Sequence, residues 1–138
     1  MKKTTLFFPF EPVPKGRPRF TRMGCTYTPK ATKDYETKIS DYYRENSKDF
    51  YEIAIRIQLT FYMPIPKSAS KKNRTLMESG SIKHTKKPDT DNLCKAFTDA
   101  LNGIAYKDDS LITTLHVCKK YASDNNVGIE MNILEDVE

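Results

Sequence analysis

"YEIAIRIQLTFYM", residues 51–63, is the run that decides the fold. Tyr51, Ile53, Ile55, Ile57, Leu59 and Phe61 alternate with mostly polar neighbours, the two-residue period of a strand half buried in a sheet. Working outward, "KTTLFFPF" at 3–10 reads as a first strand cut short by proline. Beyond the central run, "SLITTLHVCKKYA" and "VGIEMNILE" close the chain as two further strands, expected to pair as a terminal hairpin. In the last of these Val127, Ile129, Met131 and Ile133 face one way. Residues 32–46 have the helical period through Tyr35, Ile39, Tyr42 and Tyr43, with Thr32 in position to cap. A second helix is expected over 91–102, with Gly103 placed to end it. A short third helix, ending at Gly80, fits inside the irregular region 64–88. The order β-α-β-(α)-α-β-β makes residues 1–138 a single α+β domain, a mixed β-sheet with helices packed on it.

Composition narrows the class. A chain of 138 residues with 38% hydrophobic and 30% charged residues suits one soluble globular domain with its own core. No apolar run approaches the roughly 18 residues of a membrane span. The apolar patch after Lys2 and Lys3 is broken by Pro9, Pro12 and Pro14, so no signal peptide is read there. Three widely spaced cysteines, Cys25, Cys94 and Cys118, argue against a disulfide framework or structural zinc and fit a reducing cytoplasm. No G-x-x-x-x-G-K-[ST] loop occurs, so no nucleotide cofactor is expected.

The net charge of +5 conceals a division. Residues 1–88 hold 19 Lys+Arg against 8 Asp+Glu, a balance of +11, while residues 89–138 hold 4 against 10, a balance of −6. The basic part suits an anionic partner, nucleic acid first. Two basic patches stand out: Lys15, Arg17, Arg19 and Arg22, interleaved with Phe20 and Tyr27, and then Lys67, Lys71, Lys72, Arg74, Lys83, Lys86 and Lys87. Of these, Lys15, Arg17, Arg19, Arg22, Lys71, Lys72, Arg74, Lys86 and Lys87 are the candidate phosphate contacts. A solvated surface is the plainer account of any one of them. Phe20 or Tyr27 could stack on an unpaired base, although an aromatic residue in a loop is more often anchored in a core. His84 lies in the basic loop, within reach of phosphate, and His116 in a strand; neither has zinc-ligand spacing.

Against that basic background, residues 86–110, "KKPDTDNLCKAFTDALNGIAYKDDS", gather five aspartates. On a helical wheel Leu93, Ala96, Phe97, Ala100, Leu101 and Ile104 fall together, and Asp91, Lys95, Thr98, Asp99 and Asn102 oppose them. Asp89 and Asp91 can converge at the helix N-terminus, just after Pro88. If the following strand lies beside the helix start, Asp108 or Asp109 could complete a three-carboxylate cluster. Clustered carboxylates repel unless a cation compensates them, and Mg²⁺ takes hard oxygen ligands. The plainer account makes Asp91 an N-cap and Asp108 and Asp109 turn residues.

The segment also resembles a known signature. Pro88-Asp89-Thr90-Asp91-Asn92-Leu93-Cys94-Lys95, then Asp99-Ala100-Leu101-Asn102-Gly103, then Asp108-Asp109 before a strand, resemble the motif of the RusA family of Holliday junction resolvases, commonly encoded by prophages and bacteria. "PKGRPRF" and "TYTPKATKDYE" upstream look like that family's N-terminal half, so the likeness runs from about residue 10 to 115. It implies a homodimeric, Mg²⁺-dependent endodeoxyribonuclease, with Mn²⁺ able to substitute, that nicks four-way junction DNA symmetrically in recombination and repair. Carried over by motif position, the catalytic acids are Asp89, Asp91 and Asp109, and the supporting lysine is Lys95. Asp108 either assists the metal or shapes the turn, and Asp99 is read as structural. Two alternatives stand beside this reading: a non-catalytic junction- or DNA-binding module, and a broader flap or fork nuclease of the same chemistry.

Overall fold

The computed structural model describes residues 2–16, 19, 20, 22–24, 26, 27 and 29–137, with only the backbone of 19, 20, 26 and 27. Arg17 and Cys25, and the side chains of Arg19, Phe20 and Tyr27, therefore lie outside the described residues.

The chain order is β1 (Lys3–Phe8), β2 (Arg19–Phe20), β3 (Thr26–Tyr27), α1 (Lys30–Asn46), β4 (Ile55–Pro64), α2 (Lys71–Glu78), α3 (Thr90–Leu101), β5 (Ile112–Ala122) and β6 (Gly128–Glu135). Short β2 and β3 form a ribbon of their own, and the other strands make one mixed sheet in the order β1-β6-β4-β5. The α+β architecture and the element order agree with the sequence reading.

The terminal hairpin does not form. β4 lies between β5 and β6, pairing antiparallel with β6 and parallel with β5. The reason is burial. Ile57, Leu59, Phe61 and Met63 form the most apolar stripe of the chain and take a central position, leaving the more polar β5 at the edge. Four residues of the opening run, 51–54, also fall outside the strand. Ile53 is 45% exposed, whereas Tyr51 is fully buried and exchanges backbone hydrogen bonds with Ala105 and Lys107 beside Tyr106.

Helices α1 and α3 cover one face of the sheet. Tyr35, Ile39 and Tyr43 of α1 and Leu93, Ala96, Phe97 and Leu101 of α3 meet Phe8, Leu59, Phe61 and Met131 in a single core. Phe97 packs edge-on against Phe8 at 5.0 Å and Phe61 at 6.1 Å between ring centroids. Thr32 does not cap α1: Pro29 holds that position, and the buried Thr32 hydroxyl accepts a hydrogen bond from the Gly16 N–H instead. Gly103, at φ +79°, ends α3 with a left-handed residue as its position suggests. Among the described residues no helix is long and apolar enough to cross a membrane.

Candidate active site

α3 positions the acidic residues because its apolar face is fixed in the core. Leu93, Cys94, Ala96, Phe97, Ala100 and Leu101 are buried, so Asp91 and Lys95 are held outward. Asp89 occupies the N-cap position but makes no capping hydrogen bond. Its carboxylate accepts a hydrogen bond from the Lys87 Nζ at 2.9 Å, which lowers its pKa below the ordinary value. Neither Asp91 nor Asp109 has a hydrogen-bonded or ion-paired partner for its carboxylate among the described residues. The capping account of Asp91 therefore fails, since Asp91 lies within the helix and caps nothing.

The loop before α3 is tied down by a residue that motif reading does not single out. Lys119 of β5 donates to the carbonyls of Lys86 at 2.7 Å and Pro88 at 2.9 Å. Those bonds hold the turn carrying Asp89 against the C-terminal half of β5, and the Lys87–Pro88 peptide within it is cis. Beside Lys120 in an edge strand, Lys119 has no local signature; only its tertiary neighbours show its role.

The other acidic pair lies elsewhere. Asp108 accepts a hydrogen bond from the Ser110 N–H at 3.1 Å, which caps the 3₁₀ turn Asp109–Leu111, and the Ser110 hydroxyl first and its N–H second lower the Asp108 pKa. Asp108 thus shapes the turn. Asp109 lies near Tyr106, whose pKa is raised by burial first and by the Asp109 charge second. The Tyr106 hydroxyl donates to the Thr98 carbonyl at 2.6 Å, far along α3 from Asp91. No group of three or more His, Cys, Asp or Glu able to hold a metal exists among the described residues of one chain. What the fold brings together is Asp89 with Asp91; it does not bring Asp109 to them.

Lys95 and Asp99 form an i,i+4 ion pair at 3.0 Å. Asp99 also meets the Lys15 ammonium at 3.0 Å, and Lys15 meets Glu36 at 3.1 Å. Burial works to raise the Asp99 pKa, but the hydrogen bonds from Lys95 and Lys15 outweigh it and the net shift is downward. Asp99 is thus committed to two ion pairs. Lys15, expected at the nucleic-acid surface, is paired with Glu36 and Asp99 and so ties the proline-rich segment to α1 and α3.

Arg22, Lys71, Lys72, Lys86 and Lys87 are exposed. Arg74 is half-buried and donates to the Pro66 carbonyl at 3.3 Å. Lys71 and Lys72 open α2, whose first turn has no acidic residue. Two cations at a helix N-terminus oppose its dipole and favour an anion there. His84 packs on Tyr121 with ring centroids 4.6 Å apart, and burial followed by the nearby Lys119 charge lowers its pKa. Between α3 and β5 lies an open groove lined by Asp91, Cys94, Lys95, Thr98, Leu115 and Val117.

The family model for endodeoxyribonuclease RusA matches residues 9–133. A Bacillus subtilis (strain 168) protein, "Uncharacterized protein YqaN", is 35% identical over 127 residues, 86% of this chain and 88% of its own length. The chain belongs to the RusA endodeoxyribonuclease family.

Proposed function

We propose that this member of the RusA endodeoxyribonuclease family is a Mg²⁺-dependent, homodimeric resolvase of four-way DNA junctions, hydrolysing one phosphodiester in each of two symmetric strands. One observation carries the reading. Asp89 and Asp91 stand at one end of α3, and neither side chain caps the helix or stabilises a turn. Asp109 presents the same donor type, and its carboxylate is likewise without a partner among the described residues. Asp89 and Asp91 fit Mg²⁺, since both are exposed hard oxygen ligands and leave positions for water and phosphate. When bound, the ion polarises the scissile phosphate and lowers the pKa of an attacking water.

The chain's own residues do the rest. Lys86 and Lys87 flank Asp89 and offset the repulsion between carboxylates and the incoming phosphate backbone. Lys95 stands one helical turn beyond Asp91, where its ammonium can turn from Asp99 to a non-bridging phosphate oxygen. Lys71, Lys72 and Arg22 supply sequence-independent phosphate contacts. Core packing of α3 holds Asp89 and Asp91 in a fixed relation before substrate arrives.

The test is cleavage of a mobile four-way junction with Mg²⁺ or EDTA, beside duplex, fork and single-stranded controls. Paired nicks confined to the junction, to metal and to wild type are expected. Asp91→Asn should cut at least about a hundredfold more slowly while still binding. Full-rate cutting by Asp91→Asn would refute the site. Equal cutting of forks would make this a broader nuclease, and binding without cutting under every metal condition would make it a junction-binding module.

A further inference from the structure

Phe7, Tyr62 and Glu130 alternate with the core residues Phe8, Phe61 and Ile129, so they point to the sheet face opposite α1 and α3. There, with Tyr121, Glu78 and Asn126, they line a cavity of about 490 Å³, a size that suits a small organic group. Gly128 makes the room. A Cβ at that position would run into the Phe7 ring and the Phe8 carbonyl, so bare β6 backbone lies beneath Phe7. Tyr62 pairs with Gly128 from the β4 side. The two rings thus meet over one glycine, with centroids 6.4 Å apart and planes tilted by 48°. Aromatic faces attract cations, yet among the described residues no cation of the chain stands over either ring.

The charge of the cavity runs against the +5 of the chain. Glu78 comes from α2 and Glu130 from β6; both are exposed, and among the described residues no ion pair reaches either. What sets these two apart from other unpaired carboxylates is that they converge on one aromatic cavity that no lysine or arginine lines. Helix α2 adds to the field. Its C-terminus carries the negative end of the helix dipole, its last turn has no basic residue, and Glu78 is its last residue. Lys120 pairs with Tyr62 in the strand register, but it lines the adjoining cavity. Burial first and the Glu130 charge second raise the Tyr62 pKa, which puts that carboxylate close to the ring.

We propose that this cavity binds the guanidinium of an arginine side chain presented by a partner protein, with Tyr62 and Phe7 against its plane and Glu78 and Glu130 accepting from its N–H groups. A guanidinium is planar and weakly hydrated, and it stacks on aromatic rings while donating in-plane hydrogen bonds to carboxylates. A divalent metal wants an oxygen-rich shell, which aromatic walls do not give. Two carboxylates repel a phosphate backbone, so the cavity is separate from the nucleic-acid surface. Free arginine carries an α-carboxylate that the same glutamates repel, whereas in a peptide that group is a neutral amide. The cavity opens to solvent, so the side chain can enter while the donor's backbone stays outside. Because α3 lies on the other face of the sheet, an occupant leaves it uncovered.

The probe is Nα-acetyl-arginine amide, titrated into the isotope-labelled chain and followed by NMR at the backbone amides of Phe7, Gly128 and Glu130. Saturable shifts centred on this cavity are expected, with a Kd on the order of 1 mM that weakens as salt is added. The capped citrulline amide has the same shape without the charge and should bind at least about tenfold more weakly. Glu130→Gln should weaken the arginine probe about threefold, and Glu78→Gln combined with Glu130→Gln about tenfold, since both side chains are exposed and screened. Phe7→Leu keeps an apolar wall without the ring and should cost about threefold. No saturable shift at about 10 mM probe, or equal binding of the arginine and citrulline amides, would overturn the site. Undiminished binding by the double glutamine variant, with its unfolding midpoint unchanged, would do the same. Free arginine binding more tightly than the capped amide would overturn the partner protein as the source.

Discussion

Replacing Lys15 with methionine separates two roles that a basic residue in a loop can have. The ammonium lies 3.1 Å from Glu36 and 3.0 Å from Asp99, with 26% of the side chain exposed. Methionine keeps the apolar stem and removes the charge. Fully exposed ion pairs contribute up to about 1 kcal/mol and a broken buried pair costs about 3–5 kcal/mol. Two pairs, both three-quarters buried, with Asp99 keeping Lys95, should together cost about 1.5 kcal/mol. With a urea slope of about 2 kcal/mol per M, the unfolding midpoint should fall by about 0.8 M. The loss should depend on pH in a defined sense. The depressed Asp99 pKa gives stability above its ordinary value of 3.8, lost as pH falls through the lowered value. Burial opposes protonation of Lys15, but its hydrogen bonds to Asp99 and Glu36 win, so the raised pKa gives stability that fades only as pH rises past 10.5. The difference between wild type and variant should therefore be flat across neutral pH and shrink below about 3.8. In junction binding, the slope of log K against log salt should be unchanged. An unshifted midpoint with a slope reduced by about one counterion would refute the clamp and return Lys15 to the DNA contacts.

Lys119→Met should free the loop that carries Asp89 and lower kcat about tenfold with little change in junction affinity; Lys119→Arg should recover part of the loss, and an equal loss of affinity would make Lys119 a phosphate contact instead. Phe97→Ala removes a side chain 1% exposed at the junction of α3 and the sheet, and should cost about 3–5 kcal/mol in urea unfolding; a cost under about 1 kcal/mol would mean that α3 is not locked by this contact. Lys72→Ala should lower the salt slope of junction binding by about one counterion and leave the unfolding midpoint in place, and an unchanged slope would remove α2 from the DNA surface.

Periodicity made most of the fold legible. Alternation marked the central strand and β6, and the wheel of residues 91–104 separated the buried from the outward face of α3, with Cys94 the one buried residue it left unassigned. Strand order was another matter. β5 and β6 are adjacent in sequence and joined by a short connection, the arrangement that ordinarily gives a hairpin. Pairing followed burial instead, because β4 has the greater apolar area to hide and β5 alternates apolar with polar side chains that tolerate an edge. Motif spacing likewise singled out Asp89, Asp91 and Lys95, which lie within two helical turns. It offered Asp109 only on the condition that its strand ran beside the helix start. β5 does pass there, but with its other end, and that reversal is tertiary information no local pattern contains.

The proposed metal site asks that its carboxylates be free to take a cation, and the ion pairs bear on that. With 23 Lys+Arg in the chain, a carboxylate has cations within easy reach. Glu36, Asp41 and Asp136 each have one, and Asp99 has two. Asp91 and Asp109 have none among the described residues, although Lys95 is one turn from Asp91 and bonds Asp99 instead. Among the described residues Asp89 is paired with the exposed Lys87 alone, and since water already screens that pair a divalent cation could displace it. An unpaired carboxylate is ordinary here, since among the described residues only Glu36, Asp41, Asp89, Asp99 and Asp136 form ion pairs, so position rather than pairing carries the reading. In the proposed site Asp89 and Asp91 face solvent at the start of a helix fixed by its core, where an arriving divalent cation would have only the screened Lys87 pair to displace.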